Sequence, residues 1–130
     1  MKRLLLDVNI VLDVLLDRKP FADASAAVWA AVEQGEAEGY LSAHAVTTLH
    51  YLNAKKVGAK VARETTDALL SVFEVAAVDG TVLHAALALR WPDFEDAVTA
   101  AAARRAKCDV VVTRHARHFK RSPVRALTPS

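Results

Sequence analysis

The sequence has few of the features that mark secreted, membrane-spanning or repetitive proteins. Its single cysteine, Cys108, excludes an internal disulfide and cannot by itself build a thiolate metal site. No apolar run approaches the roughly 20 residues needed to cross a bilayer. The first residues lack the longer apolar region of a signal peptide, and internal repeats, low-complexity segments and linkers are missing. We therefore expect one cytoplasmic domain covering residues 1–130, with no membrane association.

Charge is distributed unevenly along the chain, although the net charge is only +2. Residues 1–103 contain nine Lys and Arg against fourteen Asp and Glu, whereas residues 104–130 contain eight basic residues and one acid. A basic segment of this kind can bind a phosphate backbone, or it can form a solvated surface that keeps the protein soluble. Charge alone does not decide between the two.

Hydrophobic periodicity predicts short buried strands that alternate with helices. The predicted strands cover residues 3–7, 40–42, 73–78 and 109–113, with a weak edge strand at 124–127. The predicted helices cover residues 9–17, 20–35, 43–56, 61–70, 79–90 and 93–107, and the last of these is rich in alanine. This alternation predicts an α/β fold in which helices cover both faces of a parallel sheet.

The predicted site is organised around Leu4 to Asp13, LLLDVNIVLD. Three leucines predict a short buried strand, Asp7 stands where that strand should end, and Asn9 is placed to cap the following helix. The acid therefore falls at the carboxyl edge of the sheet, where open α/β sheets bind ligands. Asp7 is a candidate metal ligand or base held by Asn9, although Asp and Asn are also common strand-end and cap residues.

A second acidic cluster lies in residues 91–97, WPDFEDA. If Asp93 is the N-cap, Asp96 follows one turn later, so both carboxylates can face the same side of the helix start. Helix capping and the helix dipole favour acids here, but three acids in four residues exceed what capping requires. Carboxylates held together repel unless a cation or a proton lies between them, which indicates a metal.

Thr113 ends the fourth predicted strand, where its hydroxyl could bind a metal-bound water or a phosphate, or could serve only as a turn residue. In a parallel sheet Asp7, the helix start at Asp93 and Asp96, and Thr113 all fall at one edge. Oxygen ligands suit Mg²⁺ or Mn²⁺, and such an ion can polarise a phosphodiester. Together with the basic segment, these residues favour a metal-dependent nuclease.

Three segments resemble a PIN domain of the kind found in bacterial VapC-type toxins. They are LLLDVNIVLDVLLDRKPF, FEDAVTAAAARRAKCDVVVTRHARHF and SPVRALTP. The resemblance covers nearly the whole chain in the expected order. It implies a three-layer α/β/α sandwich with a central parallel sheet, a Mg²⁺- or Mn²⁺-dependent ribonuclease activity and a homodimer. It also implies a partner antitoxin whose tail blocks the acidic pocket.

The resemblance assigns roles to five residues. Asp7 matches the first acid of the family, and Asn9 matches the polar residue two positions later. Asp96 matches the acid that opens the long helix, Asp93 the acid just before it, and Thr113 the strand-end hydroxyl. An ion on Asp7 and Asp96 would then activate water for attack on RNA, with Asp93 acting through water and with Asn9 and Thr113 orienting the ligands. The basic residues expected to bind the RNA backbone are Arg114, Arg117, Lys120 and Arg121.

Two positions depart from the family pattern. Thr48 stands where many PIN domains have a glutamate, and His115 and His118 stand where acids or asparagine are common. Fewer carboxylates hold a second ion less well. His118 could replace an acid, which would favour Mn²⁺, or could be a surface or phosphate-contacting residue. We interpret His44, His50 and His84 as structural or surface residues and Asp13 and Glu95 as solvated or supporting acids.

The sequence therefore predicts a metal-dependent endoribonuclease, the toxin of a toxin–antitoxin pair. The missing acids keep a second hypothesis open, a degenerate PIN domain that binds RNA or a partner protein without cleaving. A third, a phosphatase or phosphoacceptor domain with Asp7 as nucleophile, is weaker because the phosphatases that it would resemble have Asp where Asn9 stands.

Overall fold

A five-stranded, fully parallel sheet forms the centre of the protein. The computed structural model describes residues 1 to 130. The strands are β1 (Arg3–Leu6), β2 (Glu38–Ser42), β3 (Glu74–Ala76), β4 (Val110–Val112) and β5 (Arg125–Leu127). They lie in the order β3, β2, β1, β4, β5, and each neighbouring pair is parallel. The predicted parallel sheet is confirmed, including its short edge strand.

Six α-helices connect the strands. They are α1 (Val8–Leu15), α2 (Ala22–Glu33), α3 (Ala43–Val57), α4 (Ala59–Val72), α5 (Gly80–Leu89) and α6 (Phe94–Arg105). A 3₁₀ helix at Ala116–Phe119, between β4 and β5, was not predicted. None of the helices combines the length and the apolar character that a membrane crossing would require.

The two faces of the sheet carry separate hydrophobic cores. Because side chains alternate along a strand, Leu5 packs with the residues of α5 and α6, whereas the adjacent Leu6 packs with those of α1 to α4. Val111 lies in the first core and its neighbours Val110 and Val112 lie in the second. This alternation confirms the three-layer α/β/α sandwich.

The alanine-rich sequence of α6 allows this helix to lie close against the sheet. All seven residues from 97 to 103 are buried, and five of them are alanine. Small side chains on this helix shorten the distance between its backbone and the strands. Asp93 caps α6 with its side chain, as predicted, so the close packing of the helix fixes where the acids of its first turn lie.

The prediction that Asn9 caps the first helix was wrong. Strand β1 ends at Leu6, so Asp7 takes the extended backbone of an N-cap, with φ −64° and ψ 154°. The Asp7 carboxylate accepts a hydrogen bond from the Val8 amide, and Asn9 lies inside the helix. The capping residue is therefore the acid that the sequence places at the end of the strand.

The order of the strands creates a crevice at one edge of the sheet. From β1 the chain crosses to β2 on one side, and it later returns to place β4 on the other side. Ligands of open α/β sheets bind at such a reversal, outside the carboxyl ends of the two strands. Asp7 follows β1 and Thr113 follows β4, so both lie at this position.

Candidate active site

Asp7 is the most firmly held acid at the crevice. Its side-chain oxygen Oδ1 accepts the Val8 amide at 2.8 Å, and Oδ2 accepts the Thr113 hydroxyl at 2.9 Å. The residue is only 8% exposed. Two hydrogen bonds to one carboxylate fix its orientation.

Thr113 supports Asp7 and does not itself line the cleft. The residue has no exposed surface, and its hydroxyl also accepts a hydrogen bond from the His115 amide at 3.1 Å. The Thr113 hydroxyl thus donates one hydrogen bond to Asp7 and accepts one from His115. The geometry gives Thr113 a positioning function, which differs from direct contact with a metal-bound water or a phosphate.

The first turn of α6 contributes the other acids. The Asp93 side chain accepts the Asp96 amide at 3.1 Å, which is the capping bond predicted for this pair. Asp93 and Glu95 are exposed, whereas Asp96 is partly buried. Asp7 reaches the same cleft from β1, so the structure brings the predicted acids together.

The cleft between β1, α3 and α6 has a volume of about 230 Å³ and is mostly polar. Four acids and three histidines line it, together with Asn9 and smaller polar residues. These seven titratable residues are Asp7, Asp93, Glu95, Asp96, His44, His115 and His118. Glu95 is an exposed acid at the edge of the site, and His44, which we interpreted from the sequence as a structural or surface residue, also lines the cleft.

The carboxyl of Asp96 has a raised pKa. Burial, followed by the negative charges of Asp93 and Asp7, raises the pKa of this carboxyl from 3.8 to about 6. His118 opposes this shift, with Nδ1 at 3.6 Å from Asp96 Oδ2. Carboxylates that crowd one another in this way favour a proton or a cation between them.

The histidines enter the cleft from two sides. His115 and His118 stack with their ring centroids 5.2 Å apart and their planes at 13°. His44 lies opposite them at the start of α3, where its Nδ1 is 2.9 Å from the Ser42 hydroxyl. Burial lowers the pKa of His44, although the charges of Glu95 and Asp7 act in the other direction.

Sequence reasoning missed His44, but a signal was present. His44 lies two residues after the end of β2, so the edge argument that applies to Asp7 applies to it as well. Thr48, one turn further along α3, donates its hydroxyl to the His44 carbonyl at 3.1 Å and does not line the cleft. Helix α3 therefore offers an imidazole to this site and no carboxylate.

The donor set fits a hard divalent cation, although the ligand atoms are not yet gathered around one point. No three His, Cys, Asp or Glu side chains lie close enough together to enclose an ion. Asp7 and Asp96 nevertheless present oxygen to one cleft, where the negative charges of Asp93 and Asp7 act against the charged form of Asp96. Ions such as Mg²⁺ keep several waters and need only one or two protein carboxylates.

Three of the four basic residues expected to bind RNA are exposed near this cleft. Arg117, Lys120 and Arg121 lie on or just after the 3₁₀ helix that carries His118. Arg114 differs, because its side chain is only 19% exposed and its Nε lies 3.2 Å from Asp13. Its guanidinium also lies over the Phe21 ring, 4.0 Å from the centroid.

Comparison with models of known protein families shows the family of this chain. A model of the PIN domain matches residues 3–117. The chain belongs to the PIN domain family. A search of curated proteins found no significant match.

Solved structures share the fold of this PIN domain at low sequence identity. The DNA-bound VapBC of Salmonella typhimurium matches with a TM-score of 0.75 at 19% identity, over 100% of both chains. FitAcB from Neisseria gonorrhoeae gives a TM-score of 0.73 at 22% identity, over 97% of both chains. VapC20 of Mycobacterium tuberculosis, described as a sarcin-ricin loop cleaving toxin, gives 0.66 at 15% identity, over 83% of this chain and 86% of its own.

Proposed function

We propose that this PIN domain is a metal-dependent endoribonuclease and the toxin of a toxin–antitoxin pair. The observation that carries the proposal is the meeting of Asp7 and Asp96 at the carboxyl edge of the parallel sheet, in a member of this family. A toxin with this fold that cleaves the sarcin-ricin loop supports RNA as the substrate class.

Five residues in or beside the cleft have a defined role in this proposal. Asp7 and Asp96 would hold Mg²⁺ or Mn²⁺, and Asp93 would assist through water. Thr113 fixes the Asp7 carboxylate through its hydroxyl. Asn9 lies two residues after Asp7, in the first turn of α1, and lines the cleft. When bound, the ion supplies a Lewis acid that polarises the phosphodiester and activates water. The expected products carry a 5′-phosphate.

The exposed basic residues give the RNA backbone a place to bind. Arg117, Lys120 and Arg121 lie beside the cleft with no acidic partner within salt-bridge distance. Contacts of this kind bind phosphate without reading sequence, so affinity should fall as salt rises. Arg114 is left out of this surface because Asp13 already engages its guanidinium.

The partner proposals follow from proteins of the same fold. One was solved as a toxin–antitoxin complex, from Klebsiella pneumoniae, and another as DNA-bound VapBC, from Salmonella typhimurium. We infer that an antitoxin binds this chain and blocks the acidic cleft, and that the chain forms a homodimer. Both interactions would take place in the cytoplasm.

Cleavage of a mixed panel of structured and single-stranded RNAs tests the proposal. The wild type should cut with Mg²⁺ or Mn²⁺ and not in EDTA, and Asp7→Asn and Asp96→Asn should abolish cutting while circular dichroism shows an intact fold. Asp67→Asn is the matched control, because Asp67 is an exposed acid on α4.

A second function is favoured by one observation, the absence of a carboxylate from α3 at the cleft. In that case the chain would be a PIN domain that binds RNA or a partner without cleaving. A wild type that binds RNA but cuts nothing with either ion would overturn the nuclease proposal and support this alternative.

A further inference from the structure

A second cavity opens directly beside the acidic cleft. It has a volume of about 310 Å³ and is lined by Trp91, Pro92, Asp93, Asp96 and His118. The last three residues also line the acidic cleft, so the two cavities are adjacent. A chain of RNA with its phosphodiester at the cleft would therefore bring a neighbouring nucleotide to this second cavity.

Two of the lining residues, Trp91 and His118, have planar rings that pack against neighbouring side chains. Trp91 is partly buried, and its ring meets Phe119 edge to face, with centroids 5.3 Å apart and planes at 83°. Phe119 is itself 3% exposed and belongs to the core under α6. The His118 ring stacks on His115 and is 49% exposed. Rigid aromatic faces beside a cavity are the usual platform on which single-stranded bases stack.

The charges favour a base over a phosphate in this cavity. Its two carboxylates, from Asp93 and Asp96, repel a phosphate, and no Lys or Arg lines it. The free basic residues lie outside, along the same segment as His118. Carboxylates accept hydrogen bonds from exocyclic amino groups, as they do from the N4 amino group of cytosine. Adenine, cytosine and guanine carry such a group and uracil does not.

We propose that the cavity beside Trp91 binds a nucleobase with an exocyclic amino group, in an RNA whose backbone follows Arg117, Lys120 and Arg121. The base stacks on Trp91 and donates its amino group to Asp93. This inference rests on the proposed function, because it places the base next to the phosphodiester in the cleft. It makes this cavity the source of sequence preference in an otherwise backbone-directed interaction.

Fluorescence of 2-aminopurine tests the stacking. A short single-stranded RNA with one 2-aminopurine is titrated with Asp7→Asn protein in Mg²⁺, so that binding is measured without cleavage. Stacking on Trp91 should quench the fluorescence. Adding Trp91→Leu should remove the quenching and weaken binding about tenfold, since stacking on an aromatic residue commonly contributes that much per base.

A matched control lies three residues along the chain. Phe94 is also aromatic and at the start of α6, but it is 43% exposed and does not line the cavity. Phe94→Leu should leave quenching and affinity unchanged. Should Trp91→Leu disturb the fold, Trp91→Phe preserves the edge contact with Phe119 and should weaken binding less. Equal behaviour of the Trp91 and Phe94 variants would overturn the inference.

Base choice provides an independent measurement. RNAs that carry adenine, cytosine, guanine or uracil at the position of the 2-aminopurine should compete for binding, and uracil should compete least. Asp93→Asn should reduce the difference between uracil and the other bases. Equal competition by all four would contradict the assignment of amino-group recognition to Asp93.

The two proposals fail in different ways. Quenching that depends on Trp91, in a protein that cuts no RNA with either ion, would support the base site and overturn the nuclease proposal. Metal-dependent cleavage that is insensitive to Trp91 and to the identity of the base would support the nuclease and overturn the base site.

Discussion

The Arg114 guanidinium lies against the fully buried carboxylate of Asp13, with Nε 3.2 Å from Oδ2. The Ser25 hydroxyl donates to the same oxygen at 3.2 Å, and Arg18 lies 3.9 Å from Oδ1. Asp13 therefore connects α1 with α2 and with the segment that follows β4. It is neither solvated nor at the cleft.

Asp13 lies outside the cleft but contacts two arginines that are connected to residues of the proposed site. Arg18, one of its two basic partners, donates to Asn9 Oδ1 at 3.2 Å. Arg114, the other, directly follows Thr113, which holds Asp7. Asn9 and Thr113 are thus next to arginines whose charges Asp13 balances.

Removal of Asp13 should destabilise the fold strongly. Asp13→Ala leaves Arg114 partly buried without its counter-charge, and the free energy of unfolding in urea should fall by about 3–5 kcal/mol. The control is Asp17→Asn at the exposed pair with Lys19, where the atoms are 3.5 Å apart. That change should alter stability by less than about 1 kcal/mol. Similar small effects of both substitutions would contradict the structural importance of Asp13.

The Thr113 hydroxyl should matter for metal binding as well as for stability. Thr113→Val removes the donor to Asp7 and the acceptor of the His115 amide, two buried partners whose loss costs about 1–3 kcal/mol each at most. Mn²⁺ affinity, followed by the electron paramagnetic resonance of the free ion, should also fall. Thr113→Ser keeps the hydroxyl and should retain the affinity. If Val and Ser bind Mn²⁺ equally, Thr113 does not position Asp7 for the ion.

Much of the architecture could be predicted because it follows from local patterns. Alternating short apolar runs and helical segments indicate a parallel sheet, and the carboxyl ends of parallel strands share one edge. That rule places Asp7 at this edge, and the acids at the start of α6 join it because a helix that leads into a parallel strand begins at the same edge. The cap of the first helix was misassigned because a strand boundary that moves by one residue exchanges the roles of Asp7 and its neighbours.

The interior charges could not be predicted for a different reason. Asp13 and Arg114 are far apart in sequence, and neither has a local pattern that reveals its partner. An acid inside an amphipathic helix normally indicates a solvated face, and only the tertiary contact with Arg114 and Ser25 makes its burial tolerable. The entry of His115 into the cleft likewise depends on the 3₁₀ helix after β4, which has no clear sequence signature.

Gly39 should be intolerant of even a small side chain. A Cβ at this position of β2 would lie 2.6 Å from the Phe73 ring and 2.6 Å from Val32 Cγ1. Phe73 is 3% exposed and packs edge to face with Trp29, so it cannot move aside freely. Gly39→Ala should therefore lower the free energy of unfolding by about 1–3 kcal/mol. Gly80→Ala, at a site with no atom within 4 Å of the new Cβ, should be neutral or slightly stabilising, and equal losses would contradict this packing argument.

Asp96 should destabilise the metal-free protein at neutral pH. Its folded-state pKa of about 6 lies above the ordinary value of 3.8, so the folded state holds the proton more tightly than the unfolded state. The contribution of Asp96 to stability is therefore most favourable below about pH 4, is lost as the pH rises to about 6, and changes little above that pH. In EDTA at pH 7.5, Asp96→Asn should be more stable than the wild type by about 2 kcal/mol, and the difference should vanish near pH 4.

A divalent metal ion should make the wild type more stable than Asp96→Asn, the reverse of the order in EDTA. An ion that binds only the folded wild type adds stability in proportion to the logarithm of its concentration above the dissociation constant. In Mn²⁺ at pH 7.5 the wild type should gain stability that Asp96→Asn does not, and thermal or urea unfolding in parallel samples measures both effects. Asp67→Asn should match the wild type in either buffer, because this exposed acid is distant from the cleft. A variant that is less stable than the wild type even in EDTA would mean that Asp96 stabilises the fold, and that its burial near Asp7 and Asp93 does not reflect a site built for a cation.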